Sequence, residues 1–245
     1  MNEINSRQNV KFKTWLSLTE ARGIKKSGLA LISGEKLVQE FLRQNPSQAA
    51  DLIYPPKARE IAAPKNVKSY SLSAPLFKSL DVLGTHAPLL CVRTPEIAEW
   101  KGGAPQGLEL ILALSDPGNL GALLRSAEAF GVTRVILTQE SAMPFLPKTI
   151  RASSGAVLRI SLCKFSLPLA EVTADSLYAL DMNGTDIRQF QWPNDLYLVL
   201  GEEGRGIPPS LKTKTLTIPM ARTVESLNAM VAASIALFSY RSSTL

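Results

Sequence analysis

The sequence predicts an α/β protein built on a parallel sheet, and three observations carry that prediction. From residue 108 onward, short apolar runs alternate with stretches of helical spacing. Strands joined through helices run parallel, with helices covering the sheet. The runs themselves, such as LELILAL and LYLVLG, are apolar almost throughout rather than at every second residue, as in strands buried on both faces. A smaller block before residue 99 alternates in the same way, and the Gly/Pro-rich stretch EWKGGAPQG (99–107) separates the two.

In the first block, residues 4–22 read as a helix, because Ile4, Val10, Phe12, Trp15, Leu16 and Leu18 recur at loose helical spacing. GLALISG (28–34) reads as a short buried strand. EKLVQEFLRQN (35–45) reads as a helix stopped by Asn45-Pro46. A strand at ADLIYP, a helix near APLFKSLDVL and a strand at PLLCVRT complete it. In the second block the expected strands are LELILAL, RVILT, VLRISL, SLYALDM, LYLVLG and TLTIPM. The expected helices are 120–130, a short one at 147–153, 167–174, and a last one from Ser226 to Tyr240. The domain division is therefore 1–99, a linker at 100–107, and 108–245.

Composition excludes several function classes. Apolar residues are 45% and charged residues 20% of the 245, which suits a packed core and not a disordered chain. No run of eighteen apolar residues suggests a membrane span, and the polar N-terminus has no apolar signal core, so a cytoplasmic location is expected. Two distant cysteines, Cys91 and Cys163, and a single histidine, His86, make neither a disulfide framework nor a zinc site; no metal is expected. His86 reads as a structural or surface residue. Residues 1–100 carry 14 Lys and Arg against 9 Asp and Glu, +5, whereas the rest carry 13 against 12, +1. The basic block points to an anionic partner or, more plainly, to a solvated basic surface.

Ligands of an open parallel sheet sit beyond the carboxyl ends of its strands, and three stretches fall there. In SDPGNLGALLRSAEAFG (115–131), Pro117-Gly118-Asn119 makes a turn, Asn119 can cap the following helix, and Arg125 lies six residues on among mostly apolar neighbours. A charge in such company has a partner or a ligand. The stretch has neither the G-x-G-x-x-G nor the Gly-Lys-Ser/Thr spelling of a phosphate-binding loop. LVLGEEGRGI (198–207) ends a strand at Gly201 and continues into two acids and two more glycines, of which one functional carboxylate is the simpler reading. In IPMARTVESLNAMVAASIALFSY (218–240), Pro219 suits a strand end, Ser226 can cap the last helix, and Asn228 presents an amide near the loop. Taken singly, the stretches read more plainly as a helix cap with a surface arginine, which is the favoured reading of the first alone, a solvated Gly-rich turn and a well-capped C-terminal helix.

In this order and spacing the three stretches resemble the three motifs of the SpoU/TrmH family of RNA ribose 2′-O-methyltransferases, in the SPOUT superfamily. The motif asparagine and arginine fall at Asn119 and Arg125, the glutamate at Glu203, and the serine and asparagine at Ser226 and Asn228. IRASSGAVLRISL resembles the segment that follows the second strand in that family. The resemblance covers 108–243 strongly and, more weakly, 4–45, which looks like the small substrate-binding domain many members carry. It implies a C-terminal parallel-sheet domain with a deep trefoil knot, preceded by a small α/β substrate-binding domain. It implies S-adenosyl-L-methionine as cofactor, contacted by Leu180, Gly201, Ile218, Met220 and Leu227. It implies RNA as substrate, ribosomal ahead of transfer RNA, and a homodimer. Arg125 would withdraw the ribose proton or anchor the neighbouring phosphate. Asn119 would orient Arg125 or the ribose, Glu203 would position Arg125 or a neighbouring loop, and Ser226 and Asn228 would contact the target nucleotide. The chain departs from the family at Glu202, Arg222 and Ala229-Met230, in loops that face cofactor and RNA. A non-catalytic RNA-binding protein on the same scaffold is the alternative. A Rossmann dehydrogenase lacks its glycine fingerprint here.

Overall fold

The computed structural model describes residues 1–245 except 202, 203, 213, 222–225 and 245. In chain order its elements are β1 (Asn2–Ile4), α1 (Val10–Ser17), α2 (Ala21–Ser27), β2 (Leu29–Ser33), α3 (Glu35–Gln44), β3 (Ala49–Tyr54), β4 (Lys68–Leu72), α4 (Ala74–Leu80), β5 (Leu89–Arg93), β6 (Ala98–Glu99), β7 (Leu108–Leu112), α5 (Pro117–Ala129), β8 (Arg134–Leu137), α6 (Pro147–Ala152), β9 (Leu162–Lys164), β10 (Leu177–Asp186), β11 (Leu196–Leu200), β12 (Thr215–Thr217) and α7 (Ala229–Ser243). Two compact units result. One comprises Met1–Glu96 with Met143–Leu158, the other Ile97–Ala142 with Arg159–Leu245. The division expected at 99 and 108 therefore differs in two places. Residues 97–107 belong with the second unit, where β6 pairs with β9 and Trp100 is buried against Tyr197 and Phe165. Residues 143–158 belong with the first unit, where α6 packs on β2.

The first unit holds a mixed sheet in the order β1-β4-β3-β5-β2, with β5 antiparallel to both of its neighbours. The expected single helix over 4–22 is instead β1, α1 and α2. Asn9 breaks it by accepting hydrogen bonds from the Lys11 and Phe12 amides (2.9 and 3.3 Å), which starts α1 there and frees Asn2–Ile4 to pair with β4. Phe12, Trp15 and Ile24 enter the core. Below them the Asp51 carboxylate accepts from Lys11 Nζ at 2.8 Å and from Trp15 Nε1 at 3.2 Å, while Lys11 lies over the Tyr70 ring. Sequence patterning does not reveal β4, since KSYSL offers only Tyr70 and Leu72 on its buried face.

The second unit is a seven-stranded sheet in the order β12-β10-β11-β7-β8-β9-β6, and every pairing is parallel. The expectation of a parallel sheet thus stands, and its central strands β7 and β11 are buried along their whole length. Glu109 in β7 is buried at 1% exposure because Arg134 grips both its oxygens at 2.8 Å. Helices α5 and α7 pack together, with Ser234 donating to Ser126 at 3.0 Å. Two expected elements shrink. VLRISL gives a 3-10 turn at Ala156–Leu158 and a strand only from Leu162, because Gly155 and the left-handed Ser154 turn the chain first. The helix over 167–174 is a single 3-10 turn, Leu169–Glu171, that buries only Leu169. Among the described residues no helix is long and apolar enough to cross a membrane.

The irregularity that matters most lies between β10 and β12. Leu180 and Thr185 both register against Leu216, so residues 181–184 drop out of the ladder and bulge away. Thr217 Oγ1 donates to the Met182 carbonyl at 2.8 Å and ties the bulge down. Gly184 closes it, since a Cβ there would run into the Thr215 carbonyl.

Candidate functional site

At the carboxyl ends of β10, β11 and β12 lies a cavity of about 610 Å³. That volume lies within the range of small-molecule sites. Leu180 and the bulge form one wall. Gly201 follows β11, and a Cβ on it would run into the Gly206 carbonyl and the Ile207 amide, so only glycine allows the backbone to double back there. Leu216, Thr217, Ile218 and Met220 follow along and beyond β12, and Ser226 to Ala229 close the cavity at the start of α7. Asn119, in the first turn of α5, completes the lining.

Eight of the ten residues singled out from sequence line this one cavity: Leu180, Gly201, Ile218, Met220 and Leu227, together with Asn119, Ser226 and Asn228. Glu203 lies outside the described residues, as do Glu202 and Arg222. Arg125 is not part of the lining. It sits on the exposed side of α5, which agrees with the plain reading of the stretch as a surface arginine and not with a charge held among apolar neighbours. Leu123, Leu124 and Ala127 turn inward and leave Arg125 to solvent.

Both expected caps also shift. Helix α5 begins at Pro117 and its cap is Asp116, whose Oδ1 accepts from the Asn119 amide at 2.9 Å; Asn119 is inside the helix. Helix α7 is capped by Asn228, whose Oδ1 accepts from the Met230 amide at 2.9 Å, and starts at Ala229, not Ser226. A proline at the first helical position accounts for the first shift, since it fixes φ and needs no partner. The second follows from Asn228, an equally good cap two residues closer to the apolar run.

Sequence reasoning missed the polar part of the wall: Asp181, Asn183, Arg205 and Lys212. Asp181 accepts from Lys212 Nζ at 2.9 Å and from the Asn183 amide at 3.1 Å. Burial pushes its carboxyl upward, but these donors outweigh burial and hold it below the usual carboxylate range. The available signal was the Asn183-Gly184 pair inside an otherwise strand-like run, since Asn-Gly marks a turn. The cavity thus combines an apolar floor with a rim of amides, one carboxylate and two cations, a make-up suited to a nucleoside-sized ligand.

Comparison with known proteins bears on what such a cavity serves. The family model of the SpoU rRNA methylase family matches residues 109–238. The chain is 40% identical over 243 residues to ribosomal RNA small subunit methyltransferase G 2 of Syntrophobacter fumaroxidans, which covers 97% of this chain and 49% of that protein, so it spans about half of that relative's length. It is 30% identical over 250 residues to 23S rRNA (guanosine(2553)-2′-O)-methyltransferase RlmP of Bacillus subtilis, covering 98% of this chain and 100% of that one. A solved structure of a TrmH-family protein from Porphyromonas gingivalis superposes with a TM-score of 0.77 at 28% identity, covering 97% of this chain and 99% of that one. A model match across more than half of the chain, with a full-length relative at 30% identity, establishes that the chain belongs to the SpoU rRNA methylase family of RNA methyltransferases.

Proposed function

We propose that the chain transfers a methyl group from S-adenosylmethionine to a ribose 2′-hydroxyl in structured RNA, ribosomal RNA in preference to transfer RNA. The observation that carries this reading is the gathering of Leu180, Gly201, Ile218, Met220 and Leu227 with Asn119, Ser226 and Asn228 on one cavity. The residues present fit the cofactor. It carries no phosphate, in keeping with the missing phosphate-loop glycines. Its flat adenine suits an apolar floor between backbone segments brought close by Gly201. When bound, it supplies a methyl group already activated on a sulfonium.

The chain's own residues have the rest to do. A ribose hydroxyl is a weak nucleophile, so its proton must be withdrawn or its position fixed. The Arg125 guanidinium stays protonated in proteins; exposed on α5, it serves as the anchor for the phosphate beside the target ribose rather than as a base. Asn119, on the same helix and on the cavity, orients that ribose. Asn228 spends its carbonyl oxygen on the α7 cap and keeps its amide hydrogens for the target nucleotide, next to Ser226. Glu203 positions Arg125 or a neighbouring loop. In this reading the cofactor lies in a C-terminal trefoil knot, and the first unit, with +5 on residues 1–100, holds RNA by its phosphates. Two copies associate through α7, whose exposed Val231, Ile235 and Phe238 form an apolar stripe.

Two measurements test the reading. In calorimetry the protein binds S-adenosylmethionine with no added metal, and NAD does not compete. Mass-spectrometric mapping of ribose methylation in ribosomal RNA, with and without the gene, reveals a lost mark. Binding of NAD and none of S-adenosylmethionine would overturn the proposal. Tight RNA binding with no missing mark would favour the non-catalytic alternative.

A further inference from the structure

The cavity contains a charge that no part of the reaction uses. Among the described lining residues Asp181 is the only carboxylate. It stands where β10 leaves the ladder, and its side chain is 12% exposed against 47% for its partner Lys212. An ion pair so open on one side contributes little to stability, so fold maintenance is a weak reason to desolvate a carboxylate there. A carboxylate has about four acceptor positions. The described donors to its side chain are Lys212 Nζ and the Asn183 amide, with the Met182 amide beside them, which leaves acceptor capacity on the cavity side. The bulge fixes this acceptor on the cavity wall beside Leu180, at the carboxyl end of a parallel strand. In α/β folds an acid so placed accepts from the hydroxyls of a nucleoside ribose.

We infer that Asp181 is the diol-binding residue of this cavity, accepting from the ribose hydroxyls of the cofactor's adenosine, with Lys212 and the Asn183 amide holding its carboxylate in place. The inference rests on the proposed reading of the cavity as the cofactor site. It assigns Asp181 to the nucleoside half of the ligand, not to the α-ammonium of the methionine half. The lowered proton affinity of Asp181 agrees, since the ionised carboxylate offers both oxygens as acceptors.

The two halves can be separated by calorimetry on the full chain with S-adenosylhomocysteine, 5′-methylthioadenosine, which lacks the amino-acid part, and 2′-deoxy-5′-methylthioadenosine. The wild type should prefer the ribo form of methylthioadenosine about tenfold over its 2′-deoxy analogue. Asp181→Asn should lower the affinity for S-adenosylhomocysteine and methylthioadenosine by the same factor, about tenfold, and abolish the ribo preference. Loss of affinity for S-adenosylhomocysteine alone, or an intact ribo preference in Asp181→Asn, overturns the assignment. Asp181→Ser gives the same comparison should the amide disturb the bulge. Leu180→Trp and Ile218→Trp fill the cavity and should abolish binding of all three ligands. Wild-type affinity in both would show that the cofactor binds elsewhere, overturning the cavity reading itself, whereas blocked binding there with an indifferent Asp181→Asn overturns only the diol assignment.

Discussion

Asn119 and Arg125 are six residues apart on α5, so their side chains leave the helix roughly 120° apart. One lines the cavity; the other is exposed and outside it. That separation favours an anchoring role and makes a definite prediction. Arg125→Lys keeps the charge but loses the planar fork that grips phosphate at two points, and Arg125→Ala loses both. For an anchor, lysine retains part of the activity, and both variants bind RNA more weakly, alanine by about 1.5–3 kcal/mol. For a proton acceptor, lysine does little better than alanine while RNA affinity hardly moves. Single-turnover methyl transfer and RNA binding on the two variants separate the cases, with cofactor affinity expected unchanged in both. Asn119, Gly201, Ser226 and Asn228 were legible through the order and spacing of three motifs, not through local signals, since the caps expected at Asn119 and Ser226 both fall elsewhere. Arg125 is exposed, as the plain reading of its stretch as a capped helix with a surface arginine has it. Asp181 was not legible, since its place on the wall depends on a register skip against a strand some thirty residues away.

Helix α7 shows at the scale of one element how far periodicity reaches. Ala233, Ala236, Leu237 and Tyr240 are buried within the unit, but the run 229–238 is apolar almost throughout and does not itself say which face is covered. Val231, Ile235 and Phe238, at spacings of four and three, are 47%, 37% and 61% exposed. The Phe238 ring meets Phe130 edge-on at 6.2 Å, which extends the stripe onto the end of α5. Contiguous exposed apolar surface is the feature that protein–protein contacts use, and the proposed self-association makes use of this stripe. If two copies associate through it as proposed, Ile235→Glu with Phe238→Glu shifts the protein from dimer to monomer in sedimentation velocity at micromolar concentration, while the melting temperature of the subunit changes little. A sedimentation coefficient that does not respond to the two glutamates would leave the stripe without this role. Long apolar strands such as β7 and β11 were legible for the opposite reason: buried on both faces, they have no second pattern to hide. The short elements failed where tertiary contacts decide. Leu169–Glu171 makes only one turn of the helix expected over 167–174, and Asn9 divides the helix expected over 4–22.

At the scale of the molecule the two units are interleaved in sequence, because the chain leaves the second at Ala142 and returns to it at Arg159. Composition alone showed the basic first block but could not show this, since Met143–Leu158 reads as one more segment of the second. The consequence bears on how the first unit's role can be tested. Deleting residues 1–99 would remove β2 from beneath α6 and leave Phe145, Ile150 and Val157, all buried now, without their partners. Any loss of RNA binding would then be confounded with loss of fold. Charge removal avoids this. Lys13, Arg22, Lys25 and Lys26 are exposed on α1 and α2, and none of them forms an ion pair among the described residues. Replacing all four with glutamine should leave the fold and cofactor affinity intact. If the first unit grips RNA by phosphates, every phosphate that is no longer neutralised lowers the slope of log affinity against log salt by about 0.7–0.9, because fewer counterions are released. RNA affinity should fall most at low salt and converge with the wild type at high salt. Parallel lines of equal slope for wild type and quadruple variant would mean that these four charges meet no phosphate, and that the +5 of residues 1–100 is only a solvated surface.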